Sequence, residues 1–276
     1  MPSSGDLLGP PGHYAGRIAR WHDQDLLFAW HQPDLHRGWM TTAQTVDWVE
    51  ARNPFGKFLA PPLTVITGDN GRLALASFSG WDAYRTADWQ RPLPSAASLF
   101  SGTPAGPDTG WRLDCPGAMD VLTCETPTGD MMIEGDILLD AARGGFALRL
   151  NDDGDGLYVE LVPGSREMAL QRWGTMTRDE GRSWRHSFDA LQQAPRHEAI
   201  ARGAAIPFRL LSIGPYIEVS IGGEVAIATA TGKPAAGNWG IWAEDGSCVL
   251  SNARWAPMRQ PGEAGAIEIR DRGSDS

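Results

Sequence analysis

The fold is decided by residues 206–255, which read IPFRLLSIGPYIEVSIGGEVAIATATGKPAAGNWGIWAEDGSCVLSNARW. This stretch contains short runs of apolar, or alternating apolar and polar, residues that are separated by glycine-rich turns. The runs are 206–213, 216–221, 224–230, 238–243 and 247–255. Runs of this length with period-two alternation favour antiparallel β-strands over helices. The stretch therefore predicts part of an antiparallel β-sandwich.

A similar series of strands is expected upstream of this stretch. The predicted strands are 119–124, 131–139, 145–150, 156–162 and 167–173. Together the two series give about ten strands, which is the number expected of a two-sheet jelly-roll sandwich. Residues 174–204 are charged and irregular, so we expect a long inserted loop there, with a short helix at 189–202.

A smaller group of strands is predicted near the N-terminus. Residues 14–21 and 26–31 flank a polar turn and predict a β-hairpin. Residues 63–67 and 72–78 predict two further strands around a Gly-Asp-Asn-Gly turn. The intervening residues 32–56 are interpreted as mainly loop. The fold class is therefore all-β.

Several of these segments resemble glycoside hydrolase family 32, the β-fructosidases. In the sandwich, Ile217-Glu218-Val219 leads through a glycine turn into the next strand, as in that family. Near the N-terminus, Gly16-Arg17-Ile18, the segment 57–62 and Gly71-Arg72-Leu73 resemble the last blade of the family's propeller. The segment Ala60-Pro61-Pro62 lacks the arginine that the family has there. The resemblance implies a concanavalin-like sandwich preceded by a partial β-propeller blade.

The resemblance and the composition together divide the chain into four parts. Residues 92–110 are rich in proline, glycine and serine and separate the two groups of strands. The last residues are polar and lack apolar periodicity. The expected parts are a partial propeller-like segment (1–84), a linker or loop (85–118), the β-sandwich (119–258) and a flexible tail (259–276).

Charge and cysteine content restrict the functional classes. The formal net charge of −10 disfavours nucleic acid and anionic membranes as partners. No apolar run approaches the ~20 residues of a membrane span, and the N-terminal residues lack the features of a signal peptide, so a cytoplasmic location is expected. The 3 cysteines, without a CxxC motif, predict neither a disulfide framework nor a zinc site, and we expect no cofactor.

The catalytic motifs of the resembled family are missing from this chain. Family 32 carries its nucleophile in an Asn-Asp-Pro motif, a stabilising aspartate in Arg-Asp-Pro and its acid in Glu-Cys. The nearest match here is Cys124-Glu125, which has the reverse order. We interpret Glu125 as a surface carboxylate. The resemblance therefore implies the C-terminal portion of such a hydrolase, carbohydrate-related and not catalytic by itself.

Two carboxylate clusters could carry chemistry. Asp152, Asp153 and Asp155 lie in one turn, where oxygen ligands could hold Ca²⁺, although a solvated turn is the simpler interpretation. Glu134 and Asp136 lie two residues apart on a predicted strand and so share a face. Such a pair could do acid–base work, but on an outer face it is expected to be solubilising charge.

Four residues near the N-terminus are the candidate carbohydrate-binding set: His13, Tyr14, Arg17 and Trp30. If the blade resemblance holds, the innermost strand and the loops near it face the propeller axis, where that family binds sugar. The alternative is that they pack within the blade. Trp side chains stack on sugar rings, yet the 12 tryptophans of this chain are expected mainly in cores.

Three interpretations of function remain open from the sequence. The chain could be the C-terminal portion of a family 32-like enzyme, truncated or split from its catalytic part. It could be a stand-alone carbohydrate-binding module. It could also be a structural or oligomerisation module that braces another chain. The corresponding partners are a fructan-like or other glycoside, an upstream propeller chain, or a second copy of this chain.

Overall fold

The computed structural model describes residues 13–31, 58–59, 61–68, 71–92, 110–124, 126, 129–165, 167–177, 184–195, 200, 203–230 and 237–259. Across these residues the chain is almost entirely β, as predicted. The strands are β1 (His13–Trp21), β2 (Gln24–His31), β3 (Phe58–Leu59), β4 (Leu63–Thr67), β5 (Leu73–Ala76), β6 (Trp111–Cys124), β7 (Met131–Leu150), β8 (Gly156–Leu161), β9 (Glu167–Thr177), β10 (Trp184–Pro195), β11 (Ala205–Ile213), β12 (Tyr216–Ile221), β13 (Glu224–Ala230) and β14 (Asn238–Pro257). A 3₁₀-helix spans Ser79–Tyr84.

Two long strands organise the sandwich. β7 and β14 are each 20 residues long and pair with each other antiparallel along nearly their whole length. Both bend at glycines with positive φ, Gly145 at 143° and Gly246 at 149°. A Cβ at Gly246 would lie 2.3 Å from the Asp140 carbonyl oxygen, so only glycine allows this approach of the two backbones.

Because of this bend, each long strand takes part in both layers of the sandwich. The first half of β7 pairs with β11, which continues to β12 and β13. The second half pairs with β8, which continues to β9 and β10. We call these the front and back layers. β6 pairs with the other edge of β14, and β10 contacts β13, so the layers approach a closed barrel.

Alternating side chains from both layers fill the core. In β12, Ile217, Val219 and Ile221 point into it, whereas the residues between them face outward. Aromatic pairs join the elements: the Trp111 and Trp239 rings stack with centroids 5.4 Å apart. The core explains these tryptophans without a ligand.

The predicted loop and helix within 174–204 are wrong. β9 extends to Thr177, and residues 184–195 form the edge strand β10, which pairs with β9. A register shift between Ala190 and Gln192 interrupts the alternation. An edge strand also tolerates polar residues, so β10 lacks the pattern by which a central strand is recognised.

A smaller sheet lies against the front layer. Its strands are ordered β1-β2-β4-β5, with β3 paired to β2. Leu27, Leu63 and Leu75 of this sheet pack with Val225 of β13. The expected loop at 32–56 and the tail from 260 lie outside the described residues.

The segment that follows the small sheet is bonded to the sandwich. Trp81 of the 3₁₀-helix is 3 % exposed and packs among Met132, Tyr216 and Met258. Backbone hydrogen bonds join Gln90 to Trp255 of β14 in both directions, at 2.8 and 2.9 Å. The predicted strand at 119–124 is the second half of β6, which already begins at Trp111. Among the described residues, no helix is long and apolar enough to cross a membrane.

Candidate functional site

A cleft of about 520 Å³ lies between the small sheet and the outer face of the front layer. Ala76 and Ser77, at the end of β5, form one wall. The other wall comes from β7, β11, β12, β14 and the turn between β12 and β13, and most of its side chains are polar. These lining residues are Glu134, Gly135, Asp136, Pro207, Phe208, Arg209, Ser220, Gly223, Asn252 and Arg254.

Glu134 is the centre of the charge network in this cleft. The register places it opposite Arg209 of β11 on one side and Arg254 of β14 on the other. Arg209 Nε donates to Glu134 Oε1 at 2.6 Å, and Arg254 Nε donates to Oε2 at 3.0 Å. Only 15 % of the Glu134 side chain is exposed, so these charge-assisted bonds hold it in one position.

A second polar pair lies beside this network. Asn252 Nδ2 donates to Asp136 Oδ2 at 2.7 Å. Asn252 has a φ of 52° within the irregularity of β14 between Ser251 and Arg254. Asparagine tolerates this left-handed conformation better than most residues do, and the bend aims its amide at Asp136. The Arg254 guanidinium also lies 4.3 Å from the Trp89 ring centroid.

A buried carboxyl group lies beside the cleft, on the strand that carries the lining residue Ser220. Tyr216, Glu218 and Ser220 alternate along β12 and so share its outer face. Glu218 is 1 % exposed, and Tyr216 Oη donates to its Oε2 at 2.7 Å. Glu218 Oε1, Ser220 Oγ and Ser77 Oγ are buried but make no hydrogen bond to any residue that the structure describes.

Burial raises the pKa of Glu218 above its ordinary value. The Ser77 and Tyr216 hydroxyls and the charge of Arg209 offset part of this rise. The Ser77 hydroxyl thus lies close enough to the Glu218 carboxyl to lower its pKa. Burial also raises the pKa of Tyr216, so its hydroxyl remains a donor at neutral pH.

Glu218→Gln is expected to become progressively more stable than the unsubstituted protein as pH rises. A carboxyl whose folded-state pKa is raised contributes its full stability below the unfolded-state pKa, near 4.3, and loses it as pH rises through the folded-state pKa. Glutamine does not ionise and avoids this loss. Urea denaturation from pH 4 to pH 8 measures the difference in the free energy of unfolding between the two proteins.

The matched control is Glu167→Gln, because Glu167 is exposed at the start of β9. Its stability is expected to stay parallel to that of the unsubstituted protein across the pH range. If the free energy of unfolding of Glu218→Gln also changed with pH in the same way as that of the unsubstituted protein, ionisation of Glu218 would not destabilise the folded protein, and this prediction would be wrong.

The four candidate residues from the sequence lie on the β1–β2 hairpin, away from this cleft. His13 pairs with His31, Tyr14 with Trp30, and Arg17 with Phe28. The Arg17 side chain is exposed, and its Nη1 donates to the Gly16 carbonyl at 3.5 Å. The side chains of His13, Tyr14 and Trp30 are outside the described part of the structure.

The acidic turn is ordered by the chain itself. Asn151 Oδ1 accepts from the backbone N–H groups of Asp153 and Asp155, at 3.0 and 2.9 Å. Over the described residues, no group of three or more His, Cys, Asp or Glu side chains is placed to hold a metal ion. Cys115, Cys124 and Cys248 are buried, and none of the three forms a disulfide bond within the described residues. Glu125 lies outside the described residues.

The sequence indicated only part of the cleft. Glu134 and Asp136 were expected to share a face, and both line it. Arg209 and Arg254 were not singled out, because they are 75 and 120 residues from Glu134 in the chain. An arginine within an otherwise apolar strand, as in β11, is the signal that could have indicated Arg209.

Comparison with known proteins shows the fold but no family assignment. No family model matches the chain, and no curated protein matches it. Among solved structures, fructan 1-exohydrolase IIa from Cichorium intybus, determined in complex with 1-kestose, is 12 % identical with a TM-score of 0.56, over 91 % of this chain and 49 % of that one.

Two further enzymes match in the same way. Exo-inulinase from Aspergillus awamori is 14 % identical with a TM-score of 0.53, over 91 % of this chain and 44 % of that one. Sucrose-6-phosphate hydrolase from Lactobacillus gasseri is 12 % identical with a TM-score of 0.52, over 90 % and 42 %. The chain thus spans less than half the length of each enzyme. At the level of the fold, these matches support the resemblance to the C-terminal sandwich of glycoside hydrolase family 32.

Proposed function

We propose that this chain is a carbohydrate-binding portion of a family 32-like protein, which holds a neutral glycoside in the cleft and does not hydrolyse it alone. The observation that carries the proposal is the lining of the cleft, where fixed carboxylate and guanidinium groups of balanced charge surround a space of about 520 Å³. The fold shared with enzymes named for saccharide substrates supports it.

The chemistry of the lining suits sugar hydroxyl groups. A hydroxyl both donates and accepts, so it can bond a carboxylate and a guanidinium at the same time. Glu134 and Asp136 supply acceptors, and Arg209 and Arg254 supply donors, all held by neighbouring strands. Both guanidinium groups already pair with Glu134, so the cleft offers less to a phosphorylated sugar than to a neutral one.

The same network argues against turnover by this chain. A retaining glycosidase needs a nucleophile and a separate acid about 5–5.5 Å apart. Both oxygens of Glu134 accept hydrogen bonds from arginine, so the protein already occupies the groups that a reacting sugar would need. The hydrolase motifs of family 32 are also absent from the sequence.

The hairpin residues His13, Tyr14, Arg17 and Trp30 stay a separate proposal. They would contact a longer saccharide at the opposite edge of the small sheet, because β1 and β5 are its two terminal strands. Arg17 is exposed and available for such a contact.

The purified full chain is expected to bind 1-kestose without cleaving it. Asp136→Ala is expected to weaken binding by about tenfold to one hundredfold, since one hydrogen bond to a charged group is worth about 1.5–3 kcal/mol. Isothermal titration calorimetry measures the affinity, and chromatography of the incubated sugar detects cleavage. Asp140→Ala is the matched control, because Asp140 lies on the same strand, is exposed and does not line the cleft.

Three results would contradict the proposal. If the chain bound none of 1-kestose, inulin and cellotriose, the proposal that it binds carbohydrate would be wrong. If Asp136→Ala and Asp140→Ala lost the same amount of affinity for 1-kestose, the binding site would have to lie outside the cleft. Release of fructose by the isolated chain would show a catalytic centre that the cleft network does not explain.

A further inference from the structure

We propose that Trp89 makes the cleft select neutral over phosphorylated sugars, because its ring holds the Arg254 guanidinium beside Glu134. This inference rests on the proposed function and adds a positioning residue to it. Trp89 does not line the cleft, but it contacts Arg254, which does. An indole ring that fixes a cation of the site can thus change what the site binds without touching the ligand.

The backbone places Trp89 next to Arg254. Near its end β14 pairs with β7 along one edge, and Gln90 bonds to Trp255 along the other edge, in an antiparallel bridge. Trp89 is therefore opposite Ala256, and the side chains of Trp89, Ala256 and Arg254 lie on one face. Diagonal neighbours in an antiparallel pair are close enough for large side chains to touch. The contact between Trp89 and Arg254 thus follows from the backbone pairing.

The Trp89 ring attracts two guanidinium groups. That of Arg254 lies 4.3 Å from the ring centroid, and that of Arg85 lies 5.3 Å from it. Both distances fall within the ~6 Å over which a ring face attracts a cation. Arg85 also pairs with Asp82 at 3.2 Å. Arg254 is therefore the closer of two cations on this ring, and the ring is the first of its two anchors.

The second anchor of Arg254 is Glu134. Nε and Nη2 of Arg254 both donate to Glu134 Oε2, at 3.0 and 2.5 Å. The Arg254 side chain is nonetheless 52 % exposed. An exposed ion pair contributes little by itself, so it would hold the guanidinium only loosely. Trp89 adds a second restraint, because the planar guanidinium stacks well on aromatic faces.

The two anchors favour hydroxyl groups over phosphate. A phosphate binds arginine best through two parallel hydrogen bonds, which require the guanidinium to turn toward it. Arg254 would then have to leave the ring and Glu134, whose side chain is only 15 % exposed and would keep Arg209 as its cation. Asp136, which also lines the cleft, would repel the phosphate as well. A neutral hydroxyl accepts a single hydrogen bond from the guanidinium in its present position, so it benefits from the restraint that a phosphate must break.

The test compares sucrose with sucrose 6-phosphate, which differ only in the phosphate group, on the full chain by isothermal titration calorimetry. Trp89→Leu is expected to weaken binding of sucrose by about two- to fivefold, the loss expected for a cation–π contact at a partly exposed site. Binding of sucrose 6-phosphate is expected to strengthen, so that the ratio of the two affinities changes by about tenfold. Trp89→Phe keeps a ring face, so its ratio is expected to lie between those of Trp89→Leu and the unsubstituted protein.

Two controls and a spectroscopic measurement connect these changes to Arg254. Trp173→Leu replaces a half-buried tryptophan of the back layer and is expected to leave the affinity ratio unchanged. Leucine at position 89 keeps an apolar side chain against the cluster around Trp81, and urea denaturation checks the folding of every variant. In NMR spectra the ring current of Trp89 is expected to shift the Arg254 Nε proton upfield. Trp89→Leu is expected to remove this shift, Trp89→Phe to keep part of it, and Arg254→Lys identifies the signal.

The outcomes separate this inference from the proposed function. If Trp89→Leu lowers the affinity for both sugars equally, Trp89 only supports the shape of the cleft, and the inference is wrong while the cleft remains the binding site. If neither affinity changes, or the Arg254 Nε proton keeps its position in Trp89→Leu, the ring does not hold Arg254, which also overturns the inference. If the unsubstituted protein binds neither of these sugars nor 1-kestose, both proposals fail.

Discussion

Replacing Trp242 by alanine is expected to lower the free energy of unfolding by about 3–5 kcal/mol. Trp242 is 0 % exposed although it points outward from the core of the sandwich. Its Nε1 donates to the Val159 carbonyl at 3.1 Å, and the Tyr158 ring meets it edge-on at 5.7 Å between centroids. The truncation therefore removes a large apolar surface and leaves a buried carbonyl without its donor.

The same substitution at Trp21 is the matched control. Trp21 lies at the end of β1, is 36 % exposed and contacts Phe78. Trp21→Ala is expected to cost about 1 kcal/mol or less, as is usual for surface positions. Guanidinium chloride denaturation measures both variants. Equal losses would mean that the aromatic cluster on the back layer contributes no more to stability than an exposed ring on the small sheet.

Arg149→Ala is expected to cost about 3–5 kcal/mol, the range found when one partner of a buried charged network is removed. Arg149 Nε donates to Ser212 Oγ at 2.9 Å and Nη2 donates to the Gly214 carbonyl at 2.5 Å. Burial lowers the pKa of Arg149 to about 10, and the charge of Asp130 opposes that change. The guanidinium thus holds the turn between β11 and β12, which begins the strand that carries Glu218.

Two comparison variants decide why Arg149 matters. Arg112→Ala removes an exposed ion pair with Asp114, 2.7 Å long, and is expected to cost no more than about 1 kcal/mol. Arg149→Met keeps much of the side-chain volume without the charge. If Arg149→Met is as stable as the unsubstituted protein, packing rather than the polar network holds the turn, and the expected cost of the network is wrong.

The strands after residue 205 were the most predictable part of the fold. β11, β12 and β13 begin and end within one residue of the runs predicted at 206–213, 216–221 and 224–230. Each of these strands has one face on the core, so alternation marks its whole length. Local sequence suffices in such cases because burial repeats every second residue.

Prediction failed where pairing with a distant strand overrides local pattern. The sequence predicted two strands at 131–139 and 145–150, yet both belong to β7, because β14 continues to pair with it past the glycine bend. β10 was missed for the opposite reason, since its polar edge lacks a pattern to recognise. Both errors come from the tertiary context of the backbone rather than from side-chain preference.

In the candidate site too, local sequence predicted some features, whereas others depend on strands that are distant in the chain. Shared orientation of Glu134 and Asp136 follows from their spacing, but their partners come from β11 and β14. The buried polar groups around Glu218 depend on how the small sheet lies against β12, which spacing along the chain does not reveal. The hairpin residues chosen from the resemblance lie elsewhere, on β1 and β2.

The position of β14 in the chain governs when this protein can be assembled during synthesis. It follows every other strand that the structure describes, yet it pairs with β6 and β7, which lie roughly 90 to 140 residues upstream. Until residues 238–257 emerge, β14 cannot pair with β6 and β7. The edges of these two strands are then exposed to other nascent chains. Pairings of such long range make folding slow, on the order of milliseconds to seconds. The sandwich can therefore be completed only once residues 238–257 have emerged, and the time for which the unpaired edges can aggregate depends on when this strand is made.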